Sequence, residues 1–140
     1  AIFYGSMYGD TAAVADLLAS RLAAAGVKGI SVYDVSKTDV SYLISEVFRS
    51  SHLVFAAPTY NNGLYPKMLN FIEDMKALNV SIIENGSWAP QSGKIMRAMF
   101  GEMKNMTVLE KSLTIFSAMK ENQLPLLDEM RDEILASLNK

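Results

Sequence analysis

Apolar and polar positions along this chain follow two rhythms. Val14, Leu17, Leu18, Leu22 and Ala25 recur at helical spacing, and Gly26 follows as a stop. A second helix is predicted over about 40–49, with Leu43, Ile44, Val47 and Phe48 inward. A third starts at Pro66, in the first turn where a helix tolerates proline, and carries Met68, Ile72, Met75 and Leu78. A fourth holds Met96, Met99, Met103 and Met106 with Ile95 and Phe100. Its methionine stripe reads as core packing, because the flexible thioether fills irregular gaps. The last helix, from about Pro125 to Leu138, uses Leu127, Met130, Ile134 and Leu138. Between the helices lie strand-like runs at Ala1–Tyr4, Gly29–Tyr33, His52–Ala57, Ile82–Glu84 and Thr107–Ile115, the last interrupted near Glu110-Lys111. The unbroken run Leu53–Ala57 suits a central strand covered on both faces.

Five strands alternating with five helices predict an α/β fold, an open parallel sheet with helices on both faces. Right-handed crossovers leave two common doubly wound layouts, and the five-stranded order 2-1-3-4-5 fits this length better. One junction is too short for the pattern. If the third helix ends near Leu78 and the fourth strand is under way by Ile82, only Asn79-Val80-Ser81 remains between them. The expectation is that residues are missing between Ser81 and Ile82.

Composition narrows the function classes. A chain of 140 residues, half hydrophobic and a fifth charged, suits a single globular domain over 1–140. It opens on Ala1 inside a strand, so a fragment of a longer chain is expected. A net charge of −2 without a basic run argues against nucleic acid as a partner. No apolar run approaches the roughly 20 residues of a membrane span, and no signal peptide is visible, so a cytoplasmic setting is expected. There is no Cys, and His52 is the sole histidine, which leaves no thiolate or histidine-rich metal site in this chain. His52, at the start of a strand, reads as structural, and Lys67 and Lys94 read as solvated.

In the order 2-1-3-4-5 the carboxyl ends of strands one and three flank the switch point, where ligands of such sheets bind. Three unusual loops converge there. The first is Tyr4-Gly5-Ser6-Met7-Tyr8-Gly9-Asp10-Thr11, between a strand and a helix. Its small residues and hydroxyls at a helix N-terminus suit a phosphate held by backbone N–H groups, with no Lys or Arg in the stretch. An ordinary capping turn explains the same residues, and Asp10 in particular reads as a helix-cap carboxylate. The second loop is Pro58-Thr59-Tyr60-Asn61-Asn62-Gly63-Leu64-Tyr65, and the third is Asn85-Gly86-Ser87-Trp88-Ala89-Pro90. Tyr60, Tyr65 and Trp88 offer flat walls, with Asn61, Asn62, Gly63 and Ser87 as hydrogen-bonding neighbours. Trp88 also reads as an anchor packed at the sheet edge. A phosphate cradle beside flat walls and polar neighbours describes flavin mononucleotide (FMN).

These three loops resemble those of the flavodoxin family. The run Thr59-Tyr60-Asn61-Asn62-Gly63-Leu64 resembles more narrowly the flavodoxin-like domain of the A-type flavoproteins, also called flavodiiron proteins. The resemblance implies a flavodoxin-like fold and noncovalent FMN. It implies a phosphate on Ser6, Met7, Tyr8, Gly9, Asp10 and Thr11. The ring would lie among Pro58, Thr59, Tyr60, Asn61, Asn62, Gly63, Asn85, Gly86, Ser87 and Trp88. It further implies electron transfer, with an electron-transfer protein or reductase as donor. The acceptor would be a β-lactamase-like di-iron domain, absent from this chain, that reduces oxygen or nitric oxide. A homo-oligomer is a compatible assembly. No side chain need act as acid, base or nucleophile, since the flavin carries the chemistry. A peptide within Asn61-Asn62-Gly63 is expected to reorient toward the flavin N5, Gly63 supplying the freedom. The alternatives are a stand-alone flavodoxin, an NAD(P)H quinone or azo reductase on the same fold, and a scaffold that binds no cofactor. A signalling receiver is disfavoured, because strands one and three end in Tyr4-Gly5-Ser6 and Ala57-Pro58 rather than in acidic residues.

Overall fold

The computed structural model describes residues 1–75, 78–86, 88–103 and 106–138. Five parallel strands form the sheet: β1 (Ile2–Tyr4), β2 (Val32–Asp34), β3 (His52–Tyr60), β5 (Leu78–Asn85) and β6 (Met106–Ile115). Their order is β2-β1-β3-β5-β6, and a two-residue strand β4 (Gly63–Leu64) folds back on β3. Set apart from that small hairpin, this is the expected order 2-1-3-4-5. The helices are α1 (Asp10–Ala24), α2 (Val40–Arg49), α3 (Pro66–Glu73), α4 (Ser92–Glu102) and α5 (Leu124–Leu138).

The period of two along each strand divides the core between the faces. Phe3, Leu53, Phe55, Ala57, Val80 and Ile82 point to the face covered by α2, α3 and α4. Phe55 packs there against Phe3, Phe71 and Phe100, with ring centroids 5.5, 5.8 and 4.8 Å apart. Ile2, Val54, Ala56, Ile83, Leu113 and Ile115 point the other way, onto α1 and α5. Met96 is buried and Met99, Met103 and Met106 pack against the first core, so the methionines are packing residues.

Several boundaries differ from the sequence reading. Helix α1 stops as expected: Gly26 N donates to Ala23 O and Val27 N to Leu22 O, the paired bonds of a Schellman end. Strand β2 begins at Val32, because Gly29 takes a φ of 71° and turns the chain first. On α2, Phe48 is exposed and Glu46 buried, the reverse of the expected face. Glu46 is held inside by the Tyr33 hydroxyl at 2.8 Å and by Arg49 at 3.0 Å. Met106 opens β6 rather than closing α4.

The expected break between Ser81 and Ile82 does not occur. Helix α3 ends at Glu73, five residues earlier than its apolar pattern suggested, and β5 already starts at Leu78. Strand β5 then pairs with β3 residue by residue through Val54↔Ser81 and Phe55↔Ile82. The irregularity lies on its other side. Pairing with β6 jumps from Val80↔Val108 to Ile82↔Ser112, so β6 bulges at the interruption foreseen near Glu110-Lys111. The Glu133 carboxylate on α5 accepts the two backbone N–H groups freed there, Glu110 and Lys111, each at 2.9 Å.

Candidate functional site

The loop leaving β1 is shaped by two glycines for different reasons. Gly9 is the N-cap of α1 at a φ of 97°, a conformation that costs glycine nothing, and no side chain caps the helix. Gly5 has no such angle. A Cβ there would run into the ring of Tyr65, with Cε1 at 2.8 Å, so Gly5 is the floor on which Tyr65 lies. Ser6 Oγ accepts the Gly9 N–H at 3.0 Å and folds the loop back on itself. The first helical bond runs from Ala13 N to Gly9 O, so the N–H groups of Asp10, Thr11 and Ala12 stand ahead of the ladder. Asp10 is the first helical residue rather than the cap.

The stretch after Ala57 is a strand end and hairpin, where a continuous loop was expected. Thr59 pairs with Leu64 and Tyr60 with Gly63 across a two-residue turn. Asn61 and Asn62 form that turn at φ 47° and 61°, the double left-handed setting of a type I′ hairpin. The positive angles therefore sit on the asparagines, while Gly63 belongs to β4; the expected freedom at Gly63 is not where the turn is made.

Thr59 is committed to the fold. Its Oγ1 accepts Gln91 N at 3.0 Å and Ser92 N at 3.2 Å and donates to Ser92 Oγ at 3.4 Å. Ser92 in turn donates to Ala57 O at 3.0 Å. One donor and two acceptor sites are all a hydroxyl has, so Thr59 has none to spare for a ligand. Ser92 was not singled out from the sequence, although a serine at the head of a helix signals such a role.

Asn85 ends β5 and ties three loops together. Its Oδ1 accepts Ser117 N at 3.1 Å, and its Nδ2 donates to Ser117 O at 3.2 Å and to Thr11 Oγ1 at 3.4 Å. Ser117 sits at φ 63°, just after exposed Phe116, in a loop after β6 that the sequence reading passed over. Gly86 continues the ladder, donating to Ile115 O at 3.1 Å. Ser87 lies outside the described residues.

Ser6, Met7, Tyr8, Asp10, Thr11, Pro58 and Asn85 line one depression with a cavity volume of about 20 Å³. Thr11 is buried at its floor. The aromatics of these three segments stand open: Trp88 is 95 % exposed, Tyr8 89 % and Tyr60 43 %. The packed-anchor reading of Trp88 therefore does not hold. Tyr65, half-buried on Gly5, is a wall of the protein rather than a free one. Larger hollows of about 360 Å³ lie elsewhere, one at the amino ends of β1 and β3 and one between α2 and α3. The donors at the depression are neutral N–H and O–H groups, and Asp10, the charged side chain in its lining, can only accept.

At the opposite end of the sheet, His52 is structural as expected. Its Nδ1 lies 2.7 Å from Ser137 Oγ and its Nε2 3.0 Å from Ser81 Oγ. Ser137 donates its own proton to Ile134 O, so Nδ1 is the donor and Nε2 accepts from Ser81. Burial pushes the imidazole down to about 4. Among the described residues no helix is long and apolar enough to cross a membrane.

Comparison with known proteins agrees with this fold. Over 78 residues, 55 % of this chain, it is 30 % identical to the anaerobic nitric oxide reductase flavorubredoxin of Escherichia coli. Its fold overlays the rubredoxin oxygen:oxidoreductase of Desulfovibrio gigas with a TM-score of 0.87 and 18 % identity, over 99 % of this chain and 35 % of that one. It overlays a flavodoxin of Streptococcus pneumoniae with a TM-score of 0.79 and 19 % identity, over 96 % of both chains. At such identities the two structures speak for the fold alone. The chain spans a third or less of the curated relatives it matches, 16 % of the Escherichia coli protein and 32 % of a Methanocaldococcus jannaschii protein 27 % identical to it. The flavodoxin family pattern matches residues 2–112, most of the sheet and all three segments that line the depression, and this chain belongs to the flavodoxin family.

Proposed function

We propose that this domain binds FMN at the carboxyl end of its sheet and serves as an electron-transfer module. The observation that carries the reading is the convergence at one depression of the uncapped α1 N-terminus with Pro58 and Asn85, with exposed Tyr60 and Trp88 two and three residues further along the same two segments. The N–H groups of Asp10, Thr11 and Ala12, with the Ser6 and Thr11 hydroxyls, would hold the phosphate. The backbone around Met7, Tyr8 and Gly9 would close over it. Trp88 and Tyr60 would flank the ring, and the Asn61-Asn62-Gly63 turn, with Gly86 and Ser87, would border it. Bound FMN would supply one- and two-electron redox chemistry. The residues position it, exclude water from one face and supply neutral dipoles in place of cations. The Asn61 and Asn62 peptides, held at positive φ, are the ones whose reorientation would change the hydrogen bonding offered to the ring.

Within that reading, the domain accepts electrons from an electron-transfer protein or reductase and passes them to a di-iron domain of a longer parent chain, in the cytoplasm. The support is the Thr59–Leu64 run and the likeness to the Escherichia coli and Desulfovibrio gigas proteins, of which this chain spans a fraction. A stand-alone flavodoxin is the second reading, favoured by the full-length overlay on the Streptococcus pneumoniae protein. The visible absorption spectrum of purified protein, desalted after incubation with FMN, tests the core claim. Retained flavin bands are expected, and a colourless protein overturns it. Turnover of NADPH with a quinone would instead make the domain a reductase in its own right.

A further inference from the structure

We propose that Asn85 is the positioning residue of the phosphate end, aiming the Thr11 hydroxyl into the site; this rests on the FMN reading above. Asn85 lies between Pro58 on β3 and Ile115 on β6, at the last paired position of β5. Which end of its amide is which is fixed by the Ser117 backbone. Only oxygen can accept the Ser117 N–H at 3.1 Å, and only nitrogen can donate to Ser117 O at 3.2 Å. The remaining amide hydrogen then falls to Thr11 Oγ1 at 3.4 Å.

That contact decides what Thr11 can do. A threonine hydroxyl has two acceptor sites and one proton. With an amide N–H filling an acceptor site, the proton cannot point at Asn85. Thr11 is 1 % exposed and borders the depression with Ser6, Tyr8 and Pro58. The proton is thus left for an acceptor in the depression. A phosphate offers only acceptors there, and a hydroxyl pinned as a donor meets it without reorganisation. The same amide holds Ser117 at φ 63°, an angle a non-glycine residue keeps only when its surroundings enforce it. One side chain therefore sets both the phosphate donor and the loop carrying Phe116.

Riboflavin, which has the ring and lacks the phosphate, separates this role from general support of the loops. Flavin fluorescence titrations are made on the wild type, Asn85→Ala, Thr11→Val, the double variant and Thr11→Ser. The expected result is an FMN Kd raised about tenfold in Asn85→Ala and in Thr11→Val, the worth of one charge-assisted hydrogen bond. The double variant is expected to be no weaker than either single one, and riboflavin affinity to move less than about twofold. Thr11→Ser is expected to bind FMN as the wild type does. Equal losses for FMN and riboflavin in Asn85→Ala, multiplying losses in the double variant, or no loss at all would overturn the assignment. Circular dichroism checks that each variant is folded. If Asn85→Ala is not, Asn85→Ser takes its place, being able to accept the Ser117 N–H but too short to reach Thr11. A wild-type protein that takes up neither flavin overturns the FMN reading itself and this inference with it.

Discussion

The two ends of the sheet handle polar groups in opposite ways. At the amino end, His52 is buried with both ring nitrogens engaged, one by Ser137 on α5 and one by Ser81 on β5. Its contacts tie β3 to a neighbouring strand and to a covering helix. At the carboxyl end, α1 starts on a glycine without a side-chain cap, and Trp88 and Tyr8 stand almost wholly in solvent. Both ends belong to one sheet and one set of strands. The difference is that the first end satisfies its donors internally and the second leaves donors and flat surface outward. Internal satisfaction stabilises a fold; unspent donors beside open aromatics are what a ligand needs.

The largest expected effect belongs to the closed end. Burial lowers the His52 value from the ordinary 6.5 to about 4. The unfolded chain therefore takes up the proton first as pH falls. Stability from this group is complete above about pH 6.5 and is lost progressively toward pH 4, by up to about 3 kcal/mol. Urea unfolding across that range should show the decline. His52→Gln should flatten it while leaving FMN affinity at neutral pH unchanged. A variant with the same pH slope as the wild type would show that other groups carry it.

At the open end, Ser6→Ala combined with Thr11→Val removes two donors from the proposed phosphate site. At about 1.5 kcal/mol for each bond to a charged group, FMN affinity should fall about a hundredfold. Lys67→Ala and Lys94→Ala should change it less than about twofold, since exposed lysines gain little from a distant charge. Titration of the apoprotein with FMN measures both. A lysine variant as damaging as the double variant would mean that a cation holds the phosphate, and the contrast between the ends would lose its basis in backbone dipoles.

How far the sequence reveals these ends depends on the range of the forces involved. The strands, the two-faced core and the bounds of α2 follow from local periodicity, the strand order from crossover handedness and chain length, and the place of the depression from that order. Phe48 and Glu46 exchanged places because Tyr33 and Arg49 satisfy the buried carboxylate, a pairing that no hydrophobic pattern displays. The hairpin was hidden because Asn-Asn-Gly marks a turn without saying which residues take the left-handed angles. The close of α3 at Glu73 was hidden because Met75 and Leu78 continue a helical spacing into the following segment. Thr59 and Asn85 read alike as polar loop residues. Only their partners separate them, α4's N-terminus for one and Ser117 with Thr11 for the other.

Gly5→Ala tests whether the open end tolerates change at all. The new Cβ would meet the Tyr65 ring, and the overlap must be relieved by moving that ring or the β1 loop. Overpacking of this kind costs about 1–3 kcal/mol. Chemical denaturation should show the loss, and adding Tyr65→Ala should recover part of it, because the obstacle is then gone. No recovery would place the conflict in the backbone instead.

The smallest effect separates a residue of the fold from a residue of the site. Thr59→Val keeps shape and removes the oxygen that caps the Gln91 and Ser92 N–H groups. Loss of a helix cap costs about 1 kcal/mol, readable as a shift in the urea midpoint. Because every hydrogen-bonding site of that hydroxyl is already taken, FMN affinity should change less than about twofold. Thr11→Val should do the reverse, with a weaker FMN complex and a midpoint shifted less than in Thr59→Val, since valine fills the same buried volume and the bond lost is the long one from Asn85 at 3.4 Å. If Thr59→Val weakened FMN tenfold at unchanged stability, the hydroxyl would be a ligand contact that opens when the flavin binds. The hairpin would then belong with the unspent donors of the α1 loop rather than with the closed network of the opposite end.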